Sequence, residues 1–299
     1  MAAAEPTATN PSGAGVQPIV VGLDGSEHSR RALSWAVANT AGPIRLVVAW
    51  STPWWGVSAP LGGAPPPPPD SYFESAAKQF VDDAQPLLDG MPAIPAEIRR
   101  GHAGQALVDS ALDASLLVVG SRGRGAIASA VLGSVSAYCA SHSDVPVVIV
   151  PDSADSAKVA SSVVVGIDGS TSSEAALTWA VEQTNADAVI TALAAWAPPM
   201  SYDGAILSEI DGLEDRYREM LEATVDRVRA RLAGAASRTI ETKVVMGDAR
   251  WVLAKAEADL MVVGARGHRG LEYLLMGSTA SSLVHDPAVP TVVVPATKT

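Results

Sequence analysis

The chain of 299 residues has a single cysteine, Cys139, so no disulfide can form within it and a disulfide-scaffolded secreted fold is excluded. It has no basic excess: the formal net charge is −11, both halves are acidic, and no basic block or tail occurs. Such a charge repels nucleic-acid phosphates and argues against a DNA- or RNA-coating role. No run of 18 apolar residues is present, so no membrane-spanning helix is expected. The opening MAAAEPTATNPSGAGVQP has neither a basic leader nor an apolar run of signal length. Residues 1–15 are therefore read as a disordered lead, and the protein as cytoplasmic. The five histidines show no metal-ligand spacing. The Gly-x4-Gly-Lys-Ser/Thr, Gly-x-Gly-x-x-Gly, Gly-x-Ser-x-Gly and His-Glu-x-x-His motifs are all missing, which removes the commonest NTPase, dinucleotide, hydrolase and zinc-protease chemistries.

What is present is said twice. Val20-Val21-Gly22-Leu23-Asp24-Gly25-Ser26 returns as Val164-Val165-Gly166-Ile167-Asp168-Gly169-Ser170. Ala32-Leu33-Ser34-Trp35-Ala36 returns as Ala176-Leu177-Thr178-Trp179-Ala180, and Leu117-Val118-Val119-Gly120 as Met261-Val262-Val263-Gly264. These pairs stand 144 residues apart; between them Trp50 matches Trp196 at 146. A domain-sized period means two tandem copies of one domain. Their expected bounds are 16–151 and 163–296, joined by the small, polar linker 152–162.

Each copy alternates short apolar runs with helical segments, which requires a parallel sheet covered on both faces. In the first copy the expected strands are Pro18–Leu23, Arg45–Trp50, Glu97–Arg100, Leu116–Gly120 and Val147–Val150. The expected helices run from Ser26 to about Thr40, then Ser71–Asp89, Gln105–Leu112 and Ile127–Ser141. Trp35 and Trp179 fall on the apolar faces of their helices, and Cys139 reads as a small packing residue. The segment 51–70, with Trp54, Trp55 and Pro65–Pro69, reads as a surface loop, with a lid or a protein-docking site as the sharper alternative.

Ligands of parallel sheets sit beyond the carboxyl ends of the strands. There the first strand of each copy delivers Asp24 or Asp168. The fourth delivers Gly120-Ser121-Arg122-Gly123-Arg124-Gly125, or Gly264-Ala265-Arg266-Gly267-His268-Arg269-Gly270. Gly133-Ser134 and Gly277-Ser278 follow, giving Gly-x2-Gly-x9-Gly-Ser in both copies. A glycine-rich strand-to-helix loop aims backbone N–H groups at an anion, and a carboxylate accepts from ribose or adenine donors. Asp24 and Asp168 can equally cap the helices that follow them.

On these motifs the chain resembles the universal stress protein family, in its ATP-binding subgroup and in the tandem form common in actinobacteria. The resemblance implies two Rossmann-like domains of the HUP type, each a five-stranded parallel sheet with helices on both faces. It implies ATP as ligand, two per chain, with no protein ligand identified for an accompanying magnesium ion. Asp24 and Asp168, beside Gly22 and Gly166, would contact adenine or ribose, with Ala49 and Ala195 lining the adenine. Gly120, Gly123, Gly125, Gly133, Ser134 and Val135 would wrap the phosphates of one site. Gly264, Gly267, Gly277, Ser278 and Thr279 would wrap those of the other. Ser121, Arg122 and Arg124, and Ala265, Arg266, His268, Arg269 and Gly270, complete the loops. Arg269 departs from the pattern, where the first copy has Gly125.

The resemblance also implies that Val147–Val150 and Thr291–Val294 pair edge to edge, that a further homodimer forms, and that the role is regulation of stress, dormancy and growth without catalysis. A slow ATPase or nucleotidyl-transfer activity, and a partner module docking through residues 51–70 with ATP as structural ligand, stay open beside it. A Gly120→Ala, Gly264→Ala double variant is expected to fold and to lose the ligand.

Overall fold

The computed structural model describes residues 17–51, 68–92, 94–123, 132–198, 212–232, 235–267 and 276–296. The first copy runs β1 (Ile19–Leu23), α1 (Glu27–Asn39), β2 (Ile44–Trp50), α2 (Asp70–Ala84), β3 (Glu97–Arg100), α3 (Ala103–Ser110), β4 (Leu116–Gly120), α4 (Ser134–His142) and β5 (Val147–Val150). The second runs β6 (Ser162–Gly166), α5 (Thr171–Gln183), β7 (Val189–Trp196), α6 (Leu213–Arg231), β8 (Ile240–Met246), α7 (Ala249–Ala254), β9 (Leu260–Gly264), α8 (Ser278–His285) and β10 (Thr291–Val294).

Each copy contributes five parallel strands in the order 3-2-1-4-5, and the ten form one sheet, β3-β2-β1-β4-β5-β10-β9-β6-β7-β8. The halves meet where β10 pairs antiparallel with β5, Val292 opposite Val148, so the expected edge-to-edge pairing of the last strands occurs within one chain. The strands alternate their side chains between two cores. Val21 and Val165 belong to the layer under α1, α2, α5 and α6, and Val20 and Val164 to the layer under α3, α4, α7 and α8. A strand sandwiched this way has no solvent face, which is why it reads as an unbroken apolar run.

Two expected helices are shorter than their patterns. Pro86 has no N–H to donate, so α2 ends at Ala84 in a 3₁₀ turn, Gln85–Leu88. That turn leaves Leu87 39% exposed, and Val81 takes the core place beside Ala77 and Ala84. The helix expected over Ile127–Ser141 starts at Ser134, with Gly133 as its N-cap; residues 124–131 lie outside the described ones. Trp35 is buried, whereas Trp179 is half-buried. His142 and His285 are the last residues of their helices, and His142 stacks on Tyr138. Residues 1–15 and most of 51–70 also lie outside the described residues.

The linker is tied down where it enters the second half. Asn39 donates to the Lys158 carbonyl (3.0 Å) and accepts from the Ala160 N–H (2.8 Å). Asp259 receives the Lys158 ammonium (2.5 Å), the Ser161 hydroxyl (2.8 Å) and the Ser161 and Ser162 N–H groups (3.0 and 3.1 Å). Burial works against this carboxylate, but Lys158 and Ser161 outweigh it and hold the group well below the usual range. Cys139 is fully buried, and that burial pushes its thiol up to about 12.

Two outcomes follow. Asp259→Ala lowers the unfolding free energy in urea by about 1–3 kcal/mol. Because the folded chain depresses this carboxyl, its contribution is complete above about pH 4 and is lost as the pH falls below that, so the wild type and variant converge in acid. A neutral thiol reagent labels Cys139 only at the rate of unfolding. Fast labelling of the native chain would contradict the burial.

Candidate functional site

In the order 3-2-1-4-5 the chain reverses direction of travel between β1 and β4, and between β6 and β9. The strand ends diverge there, and the loops leaving them on opposite faces open a crevice. Asp24 and Asp168 leave β1 and β6; the glycine loops leave β4 and β9. The fold therefore puts both sequence motifs on the two lips of one crevice in each half.

The carboxylate lip is built identically twice. Gly25 and Gly169 have φ of +76° and +82°, a left-handed turn that favours glycine. The turn returns Ser26 to Asp24: the Asp24 Oδ1 accepts from the Ser26 N–H (3.0 Å) and hydroxyl (2.6 Å). Ser26 caps α1 by accepting from the Ser29 N–H (3.2 Å), and the Ser29 hydroxyl donates to the Ser26 carbonyl. Asp168, Ser170 and Ser173 repeat every one of these bonds within about 0.1 Å. Helix capping and site formation are thus not alternatives: the aspartate supports the cap through one oxygen and turns the other to the crevice.

That second oxygen meets the glycine lip. A Cβ on Gly123 would lie 2.6 Å from the Asp24 Oδ2, and one on Gly267 2.7 Å from the Asp168 Oδ2. Only a residue without a side chain lets backbone and carboxylate come this close. Gly133 and Gly277 donate their N–H groups to the Ser121 and Ala265 carbonyls (2.8 and 2.7 Å), folding each loop back onto its helix. These two glycines are N-caps with no side-chain cap bond. The next amides, of Ser134 and Val135 or Ser278 and Thr279, belong to the first helical turn, which has no intrahelical partner for them. They carry the positive end of the helix dipole.

Gly120 and Gly264 have a packing part beside the one expected of them. A Cβ on Gly120 would sit 2.8 Å from the His28 carbonyl oxygen, and one on Gly264 2.6 Å from the Ser172 carbonyl carbon. These glycines admit the backbones of α1 and α5 against β4 and β9. Their replacement strains the fold first, so the double alanine variant is not the clean probe the sequence suggested. Ser121 and Ala265 are buried and act through their backbones.

In the second half the lips enclose a cavity of about 700 Å³. Of the residues named from the sequence, Gly166, Asp168, Ala195, Gly264, Arg266, Gly267, Gly277, Ser278 and Thr279 line it. Ala49, the counterpart of Ala195, is half-buried at the matching place on β2. Arg124, Gly125, His268, Arg269 and Gly270 lie outside the described residues. Sequence reasoning missed Ser173, Tyr217, Asp248 and Arg250 in the lining. Ser173 was legible in the repeated Asp-Gly-Ser-x2-Ser. Asp248 takes the place of His102; each caps its helix, and Arg250 grips Asp248 through two bonds (2.9 and 2.7 Å). That guanidinium holds the Asp248 carboxyl down at about 2. No cluster of three or more potential metal-binding His, Cys, Asp or Glu residues occurs among the described residues, and no described helix is long and apolar enough to cross a membrane.

Comparisons with known proteins agree with this fold. The universal stress protein family model matches residues 15–151 and 161–295. A universal stress protein of Mycolicibacterium smegmatis is 30% identical over 92% of this chain and 96% of its own. One of Mycobacterium tuberculosis is 31% identical over 92% and 95%. Among solved structures, a universal stress protein of Archaeoglobus fulgidus superposes with a TM-score of 0.62 at 20% identity, covering 94% of this chain and 97% of that one. At that identity the likeness speaks for the fold alone.

The two classes of glycine separate by mutation. Gly264→Ala forces a methyl into the α5 backbone and lowers stability by about 1–3 kcal/mol. Gly277→Ala meets nothing closer than 3.5 Å and costs under about 1 kcal/mol as a poorer N-cap. Equal urea midpoints for the two variants would contradict the packing role.

Proposed function

The chain belongs to the universal stress protein family, and on that premise we propose that it binds ATP in both crevices and acts as a non-enzymatic regulator. The observation that carries the reading is the contact between carboxylate and glycine loop, made twice with the same geometry. An adenine nucleotide needs an acceptor for its sugar or base and anion donors for its phosphates, a short distance apart. Asp168 supplies the first. The amides of Ser278 and Thr279, their hydroxyls and the Arg266 guanidinium supply the second. A cavity of about 700 Å³ has room for a nucleotide.

The groups fit ATP as a bound ligand. ATP brings its triphosphate charge; Asp168 and the backbone beside Ala195 orient the nucleoside end; the uncapped turn of α8 and Arg266 neutralise the phosphate end. In the first half Asp24, Ala49, Ser134, Val135 and Arg122 hold the corresponding positions. Each of these groups binds, and the reading assigns no catalytic residue. Regulation by occupancy requires two conformations of the chain that differ in ATP affinity, with a partner sensitive to the difference. In this reading the place of action is the cytoplasm, and the output is control of stress response and growth. A homodimer would use some surface other than the last strands, whose edges already pair with each other.

Protein purified without added nucleotide releases ATP on denaturation, one molecule for each of the two crevices. Arg266→Ala weakens one site about tenfold and leaves the melting temperature unchanged, because the side chain is exposed and loses a charge-assisted phosphate contact only. The absence of any nucleotide, in extracts and in calorimetric titration, would overturn the reading.

A further inference from the structure

The halves repeat each other closely at the site, but a cluster of charges beside the first crevice has no counterpart beside the second. Asp152, two residues beyond β5, draws three basic side chains together. Its carboxylate meets His28 Nδ1 on α1 through one oxygen and Arg122 Nη1 at 3.7 Å through the other; its carbonyl accepts from the Arg31 guanidinium. Arg122 is the loop arginine of the first crevice. In the second half the matching positions hold Ala296 for Asp152, Ser172 for His28 and Ala175 for Arg31. Acid and supporting bases are thus replaced together, while the loop arginine is kept as Arg266. That arginine has no acidic partner among the described residues and lines the cavity.

We propose that Asp152 is a built-in competitor for the first crevice, which makes the two ATP sites unequal. The inference rests on the reading of both crevices as ATP sites. A polyphosphate entering the first crevice must share Arg122 with a fixed carboxylate and must also approach that carboxylate's charge. His28 and Arg31 anchor Asp152, so it cannot swing clear at no cost. In the second crevice no carboxylate among the described residues pairs with Arg266, and Asp248 is held by Arg250. The second site therefore fills first, and the first fills only when ATP is more abundant, which widens the concentration range over which the chain responds.

Calorimetric titration with ATP tests this on the full chain, with circular dichroism to verify folding. The wild type gives two classes of site separated by about tenfold. Asp152→Ala strengthens the weaker class until the two nearly coincide. Asp152→Asn, which keeps the side-chain shape, has the same effect through charge alone. Ala296→Asp weakens the stronger class. Adenosine, having no phosphate, binds with an affinity that none of these changes alters. Equal sites in the wild type, or a ratio unmoved by Asp152→Ala and Asp152→Asn, overturn the inference while leaving the ATP reading intact. Failure of the wild type to bind ATP overturns the ATP reading and the inference with it.

Discussion

Three residue pairs between two four-residue strands hold the halves of this protein in one sheet. Thr291, Val292 and Val293 face Ile149, Val148 and Val147, and every one of the six is buried. Without that pairing each half would expose the edge of its fifth strand, a row of unsatisfied N–H and C=O groups flanked by valines and ready to pair indiscriminately. Joining the edges removes both liabilities and fuses two cores on each face. The linker need then only follow the seam, which it does under the hold of Asn39 and Asp259. The parallel strands of each half need their crossover helices; this junction alone is antiparallel, and the ten-stranded sheet depends on it.

The crevices rest on a second constraint, the absence of side chains at particular backbone positions. The three glycines of each signature look alike in sequence and do different things in space. Gly120 and Gly264 let a helix backbone lie against a strand; Gly123 and Gly267 let a loop lie against a carboxylate; Gly133 and Gly277 start a helix while tying the loop back through their N–H groups. A motif spaced for a ligand is therefore also a motif spaced for packing. The site's shape survives only as long as the helices that bound it stay closely docked.

Most of the architecture was legible from residues alone because it is periodic. β3, β4 and β5 start and stop where their apolar or alternating runs do. What failed was local. Pro86 shortened α2 although the apolar spacing continued through Leu87, because spacing cannot report a missing N–H. α4 began later than its pattern because Gly133 is bound to the Ser121 carbonyl, a contact 12 residues back in the chain. Within the site, Asp24, Gly123 and Gly133 were recognisable by motif. Arg250 and Tyr217 were not, since neither recurs in the other copy and only the fold brings them to the crevice. Asp152 escaped for the same reason: it reads as linker composition until its three basic neighbours are seen around it.

The antiparallel seam has a geometric consequence for anything that approaches the protein. All strands of one half run the same way, and all strands of the other run opposite to them. The carboxyl ends of β1 and β4 therefore point toward one rim of the sheet, and those of β6 and β9 toward the far rim. The two crevices lie on different rims, related by a pseudo-twofold axis perpendicular to the sheet at the seam. A partner at one mouth therefore need not cover the other, so a single chain presents two separately addressable ends.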